Sequence, residues 1–464
     1  MDLLSLYRAA AVKRLSVGIV GVGEFGASLL FRSGRAHALQ VRALADRDTG
    51  RAVAAAQRAG IGAEQLRVVD SRGAALDAHR GGLLVIVPDA ALLVELPLDF
   101  VVEATGDPES AARTALAAIE AGRHVAMVTK ECDCVVGPIL QAKAKSAGLV
   151  YTAVDGDQPA LLVALAGWAR LLGLDIVCAG KSGEYDFVFD VQAGTVTSTE
   201  NQRCLAPAGF AAAWAPTAAQ LVECAAQRGR LLAGFSTATV PDLCELTIVA
   251  NATGLKPDTP CLHAPIVRTL ELPNLFRPRQ QGGLLGGSGR LDMFTCLRRS
   301  DELSFAGGVF VVVRCDDADT WRVLAGKGIP TSDDGAFALL HNPVHLLGVE
   351  APASLLAAGM FGSAAATLHP VCDLAGLARV DLSAGESLRI GARHAVEGVA
   401  PQIVDAVVPG DGAALPYYMA AGCRLRVDVA AGATLTRAMV DPPTHSTLWR
   451  LREEQDRHPF ASNS

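Results

Sequence analysis

The sequence predicts an α/β protein whose amino-terminal part is a doubly wound parallel sheet. Two observations carry this. Apolar runs of strand character end in small residues and lead into helix-forming stretches: LSVGIV before ASLLFRS, and LDFVVEATG before PESAARTALAAIEAG and then HVAMVT. Strands alternating with helices imply parallel pairing. The first strand also runs into a glycine turn, GVGEFG, with Gly21, Gly23 and Gly26 in fixed spacing.

Each element has a physical reason. Gly21 permits the tight turn, Gly23 lets a pyrophosphate approach the backbone, and Gly26 lets the helix pack close to its strand. Glu24 and Phe25 open that helix, whose first N–H groups would face the phosphates. VRALAD is a second strand, and its Asp46 stands twenty residues after Gly26, where a ribose-binding carboxylate is expected. Asp46 would accept from both ribose hydroxyls and repel a 2′-phosphate, and Asp48 adds negative charge nearby. Arg47 points the other way, since it could pair with that phosphate. The cofactor expected is NAD or NADP, with NAD favoured. Ligands of such sheets lie at the carboxyl ends of the strands, where Thr105, Gly106, Thr129, Lys130 and Glu131 fall.

Beyond residue 150 the pattern changes. Asp155 and Asp157 precede the helical QPALLVALAGWARLLG. Asp157 reads either as a helix N-cap or, with Asp155, as a proton acceptor or metal ligand at the mouth of the nucleotide site. Lys181 leaves the strand DIVCAGKSG into a glycine-flanked turn, where low dielectric would strengthen its pull on a substrate oxygen. It is alternatively a solvated lysine at a strand end. In ELTIVANATGLKPD, Asn251, Thr253 and Lys256 sit near a helix end that Gly254 would close. RPRQQGGLLGGSGRLDM, with Arg277, Arg279 and Arg290, reads as a flexible surface loop or a flap over an anion. His341 and His345 lack a third ligand nearby, and Cys132 and Cys134 lack a partner pair, so no metal site is expected.

Composition bounds the rest. The 464 residues suggest roughly three domains. Half of them are apolar and 19% are charged, which excludes disorder. A net charge of −7 argues against a nucleic-acid binder. The eleven cysteines, without regular spacing, read as reduced thiols. The opening MDLLSLYRAAAVKR puts its positive charges after its apolar patch, the reverse of a secretory signal. The apolar region 83–102 is broken by Pro88, Asp89, Glu95, Pro97 and Asp99, so it is no membrane span. A cytoplasmic location is expected.

GVGEFG, VVEATGDPE, HVAMVTKE, GDQP, AGKSG and NATGL occur in an order that resembles the homoserine-dehydrogenase-like oxidoreductases. Within them the chain is most similar to the deoxyxylulose-phosphate-reductoisomerase-like branch, over most of its length. The resemblance implies a Rossmann domain (1–152), an α/β substrate-binding and dimerisation domain (153–370), and a homodimer or homotetramer. It implies that Lys181 faces the substrate, that Asp155 and Asp157 are the acidic group of the active site, and that Glu131 lies near the nicotinamide. Two positions depart from the branch. Asp157-Gln158 replaces an Asp-Glu pair, which speaks against a divalent metal. Asp46-Arg47-Asp48 replaces a basic run suited to NADPH.

DLSAGESLRIG and RVDVAAGATLTRAMVD, within 371–441, repeat a polar residue, a small turn and an apolar strand start. This resembles a SAF-type β-clip module, small and all-β, which would enclose substrate, join subunits or complete a core. WRLREEQDRH, in the tail 442–464, reads as a solvated charged helix. The activity expected is hydride transfer between NAD(P) and a small polar hydroxy or keto substrate, sugar-like and phosphorylated or not. Alternatives are reduction of an amino-acid semialdehyde and a non-catalytic nucleotide-sensing or assembly role.

Overall fold

The computed structural model describes residues 14–35, 38–198, 203–206, 209–235, 239–406, 410 and 412–460. The first thirteen residues, on which the reading of the amino-terminus rests, lie outside this set. The chain divides into two compact units, one of residues 1–160, 346–401 and 405–464, the other of 161–345 and 402–404.

The first unit holds seven parallel strands: β1 (Leu15–Val20), β2 (Leu39–Ala45), β3 (Leu66–Val68), β4 (Leu84–Val87), β5 (Phe100–Glu103), β6 (His124–Met127) and β7 (Tyr151–Ala153), in the order β3-β4-β2-β1-β5-β6-β7. This is the doubly wound sheet that the alternating pattern predicts. β1 lies between β2 and β5, so the strand order reverses at the glycine turn. The helix Glu24–Ser33 follows that turn, and Pro108–Glu120 and Lys130–Ser146 follow β5 and β6. Val17, Ile19, Leu29, Leu44, Ile86 and Phe100 form the core, joined by Ala351, Leu355 and Ala358 from the helix Ala351–Phe361. β4 is the all-buried LVIV inside the apolar stretch that sequence reading excluded as a membrane span.

The second unit is built on β8 (Ile176–Ser182), β9 (Phe187–Asp190), β10 (Thr195–Ser198), β11 (Arg203–Leu205), β12 (Lys256–Pro257), β13 (Ile266–Val267), β14 (Arg290–Arg298), β15 (Val309–Arg314) and β16 (Phe337–Asn342). The sheet is mixed: β14 pairs parallel with β8, and β15 antiparallel with β8 and β16. In its core Phe276 stacks on Phe310, and Phe294 meets Phe310 edge-on.

The carboxyl-terminal stretch consists of short strands and turns, as its punctuation predicts. β17 (Cys372–Ala378) and β18 (Val399–Asp405) form one small sheet, β19 (Arg424–Leu425) and β20 (Val440–Asp441) another. The tail is the helix Thr447–Arg457, but it is not merely solvated. Leu448, Leu451, Arg452 and Gln455 are buried, and the helix lies against Pro108–Glu120 and Lys130–Ser146. Arg452 keeps its charge in that interface by pairing with both oxygens of Asp373, at 2.7 and 2.8 Å. No helix among the described residues is long and apolar enough to cross a membrane.

Candidate functional site

The glycine turn has the geometry its spacing predicts. Gly21 adopts φ +89°, and a Cβ there would lie 2.4 Å from the Ala104 carbonyl oxygen. A Cβ on Gly26 would lie 2.3 Å from the Gly21 carbonyl oxygen, so glycine alone permits this helix-to-strand packing. At Gly23 the space is open, with nothing within 4 Å of where a side chain would start. No side chain caps the helix Glu24–Ser33, whose first N–H groups have no acceptor within the helix. A phosphate would meet those groups first.

Asp46 stands at the end of β2 and is tied down on both oxygens. Its Oδ2 accepts from the Val22 N–H at 2.8 Å, and its Oδ1 from the Asp48 N–H at 2.9 Å. Arg51 donates to it as well, 2.7 Å from Oδ1. Burial raises the Asp46 pKa, but the Arg51 and backbone hydrogen bonds outweigh it and leave the carboxyl below its usual range. Asp48, the second negative charge expected near the ribose, accepts from the Arg51 N–H and caps the helix Thr49–Arg58. A cleft of about 430 Å³ opens here, lined by Gly21, Asp46, Arg47, Arg51, Thr105 and Arg113 among others.

On the other side of β1, the ends of β5 and β6 bring four of the expected residues together. The Gly106 N–H donates to Thr129 Oγ1 at 3.0 Å, and Thr129 precedes the helix that Lys130 and Glu131 open. Lys130 Nζ lies 3.8 Å from Asp157 Oδ1. Asp157 also accepts from the Gln158 N–H at 3.1 Å, so it heads a helix and faces a cation at once. Burial raises the Glu131 pKa, against the pull of His394 and Lys130. His394 Nδ1 stands 3.1 Å from Glu131 Oε1. Thr105 donates its hydroxyl to Glu103 at 2.5 Å. Asp155 is also raised by burial, against a hydrogen bond with Ser354.

The second unit holds Lys181, and the expectation for its surroundings needs correcting. It does not emerge into a turn. It lies inside β8, 1% exposed, and its ammonium donates to Asp242, at 2.6 Å, and to Glu245. Both acids come from the helix Val240–Thr253, three residues apart and therefore on one face. Asp242 also accepts from the Thr239 N–H at 2.7 Å, closing a capping box that fixes it. Sequence reading missed both acids. The available signal was a pair of acids three apart inside the otherwise apolar VPDLCELTIV.

The same unit contains a second group that was missed. His263 Nδ1 lies 2.6 Å from Asp292 Oδ2, with Asp292 wholly buried, and His263 Nε2 lies 3.5 Å from Asp258. The arginines expected on a flexible flap are answered instead by carboxylates. Arg277 binds Asp334 at 2.8 Å, while Arg279 and Arg290 reach Asp258 at 3.1 and 3.6 Å. Gly254 closes its helix in the left-handed conformation, as expected. His341 lies on β16 against the Phe305 ring, and burial lowers its pKa. Among the described residues no three His, Cys, Asp or Glu side chains converge as a metal site.

Residues 156–351 match the family model described as "Oxidoreductase DRL, catalytic domain". No curated protein matches the chain. Solved structures similar to it include an oxidoreductase from Agrobacterium radiobacter in complex with NAD+, L-tartaric acid and magnesium (16% identity, TM-score 0.27, 39% of this chain and 46% of that one). Another is 1-deoxy-D-xylulose 5-phosphate reductoisomerase from Zymomonas mobilis with NADPH (19% identity, TM-score 0.31, 51% and 58%). A third is scyllo-inositol dehydrogenase from Lactobacillus casei with NAD(H) and scyllo-inositol (12% identity, TM-score 0.34, 65% and 74%). The chain thus spans about half the length of the first two. The segment that matches the family model contains Lys181, Asp242, Glu245, His263 and Asp292.

Proposed function

We propose that the chain is a nicotinamide-dinucleotide-dependent oxidoreductase acting on a carbinol or carbonyl carbon of a small polar substrate. The observation that carries this is the open glycine turn over an uncapped helix, with Asp46 fixed at the end of the neighbouring strand. Gly21, Gly23 and Gly26 with the helix start would hold the pyrophosphate, and Asp46 with Arg47 and Arg51 the adenosine ribose. The nicotinamide, when bound, accepts or supplies the hydride.

Arg51 shifts the reading of cofactor choice. A carboxylate already neutralised by a guanidinium no longer repels a 2′-phosphate strongly, and Arg47 and Arg51 line the same cleft. This favours NADP(H) over the NAD that Asp46 alone suggests.

Lys181 is the residue assigned to the substrate oxygen. Held by Asp242 and Glu245, its ammonium is fixed in place, and a fixed donor stabilises a developing alkoxide without reorganising. The acids also give it a route for passing on a proton. A homo-oligomer and a SAF-type module belong to this reading, supported by the sequence resemblance.

Two measurements test it. Fluorescence titration should show NADPH binding in the micromolar range and more tightly than NADH. Turnover is then screened on sugar acids of four or five carbons, phosphorylated ketoses and homoserine. On any substrate that reacts, Lys181→Met should lower kcat at least about a hundredfold, the scale of a lost oxyanion donor, with the dinucleotide Kd unchanged. Near-normal kcat in that variant would remove Lys181 from the mechanism.

A further inference from the structure

Strand order decides which half of a bound dinucleotide lies where. The turn after β1 takes the pyrophosphate, and Asp46 on β2 marks the adenosine side, so the nicotinamide half falls over the ends of β5 and β6. Those ends carry Gly106 and Glu131. They also meet a residue from far along the chain.

His394 stands at the apex of a tight loop in the carboxyl-terminal β module. The Gly391 N–H donates to the Ala395 carbonyl at 2.7 Å, Ile390 bridges Val396, and the Val396 N–H donates to the buried Tyr417 hydroxyl at 2.7 Å. The loop is therefore braced by the module's own core. His394 itself takes φ +57°, one of five non-glycine residues with positive φ among those described. Such a conformation persists only where its surroundings hold it, and it concentrates at ligand sites. Its ring overlies Gly106 closely enough that a Cβ there would come within 2.9 Å of Cε1. Gly106 thus provides the space that the imidazole occupies. Nδ1 is engaged by the buried Glu131, while the side chain is still 48% exposed.

We propose that the carboxyl-terminal module completes the dinucleotide site, with His394 as a binding residue for the nicotinamide half of the cofactor. The proposal rests on the dinucleotide reading above. Glu131 orients the ring, which leaves its face for stacking on the nicotinamide and Nε2 for the carboxamide group. The module then has a role that its composition did not disclose.

The test separates the two halves of the ligand. NADPH carries the nicotinamide ring, and 2′-phospho-ADP-ribose lacks it; NADH and ADP-ribose form the matching pair. Binding of both pairs is measured by calorimetry for the wild type, His394→Asn and His394→Gly. Both substitutions tolerate a positive φ, so the loop keeps its backbone. The dinucleotide should bind roughly tenfold more weakly to each variant, the size of one lost polar or ring contact. The ADP-ribose ligand should bind unchanged. Equal weakening of both ligands, or of neither, overturns the role of His394 while the dinucleotide reading stands. If the wild type binds none of the four ligands, the dinucleotide reading itself falls.

Discussion

Glu103 shows how one buried carboxyl sets a pH dependence. It ends β5, has no exposure, and burial pushes its pKa up to about 7, against hydrogen bonds from Thr105 and Thr129 and with a smaller push from Glu131. Between its ordinary value near 4.5 and about 7, the folded protein keeps a proton that the unfolded chain has released. Stability therefore falls as pH rises through that window, and the whole cost is present above pH 7. Glu103→Gln keeps the shape and removes the charge. It should stabilise the protein at pH 8 by on the order of 2–3 kcal/mol and leave it nearly unchanged at pH 4.5. Urea unfolding at the two pH values measures this, and an equal effect at both would show that Glu103 is ionised throughout. Legibility also divides at this scale. Asp46 could be found because its role is local in sequence, twenty residues from a glycine turn. Asp242 and Glu245 carry only a faint local mark, two acids three apart in an apolar stretch, because what gives them their place is Lys181, 61 and 64 residues away and brought to them only by folding.

Among the elements, the helix Lys130–Ser146 depends on another element for its integrity. Pro138 lies inside it and has no N–H to give. One residue later, the Ile139 N–H donates to Gln455 Oε1 at 3.1 Å, and Gln455 Nε2 donates to the Val135 carbonyl at 3.1 Å. These are the two groups that an unbroken helix would join to each other. The amide of one side chain, from the helix Thr447–Arg457, therefore bridges the gap beside the proline. Gln455→Leu keeps the volume and leaves both backbone groups buried without that partner. It should cost about 2–4 kcal/mol, read as a lower urea midpoint of the cooperative transition. An unchanged midpoint would mean that the helix closes its own bond. Sequence reading did not call the first of these helices, and it took the second, WRLREEQDRH, for a solvated face. Two of its polar residues, Arg452 and Gln455, are buried along with Leu448 and Leu451, and polarity alone does not reveal a buried partner.

At the level of the whole molecule, the chain leaves its first unit near residue 160 and returns to it near 346. The early strands were legible because a βαβ pattern is written in neighbouring residues. The return was not, because nothing local marks which unit a later helix or strand rejoins. That return is also structural. Glu109, in the first turn of Pro108–Glu120, accepts from Ser446 Oγ at 2.5 Å and from the Thr447 N–H at 2.7 Å, so the last helix is capped by the first unit's own carboxylate. Lys143 pairs with Glu454 at 2.6 Å, and Asp373 with Arg452. A chain ending at Pro370, the boundary expected from sequence, loses Gln455, these ion pairs and the apolar cover from Leu448 and Leu451 together. It should therefore lose its cooperative thermal transition and its binding of NADPH, rather than only the function of an appended module. Far-UV circular dichroism melts and NADPH titration of the truncated and full chains decide this. A truncated chain that melts cooperatively within a few degrees of the full one, and still binds the ligand, would show that the carboxyl-terminal residues are an independent appendage.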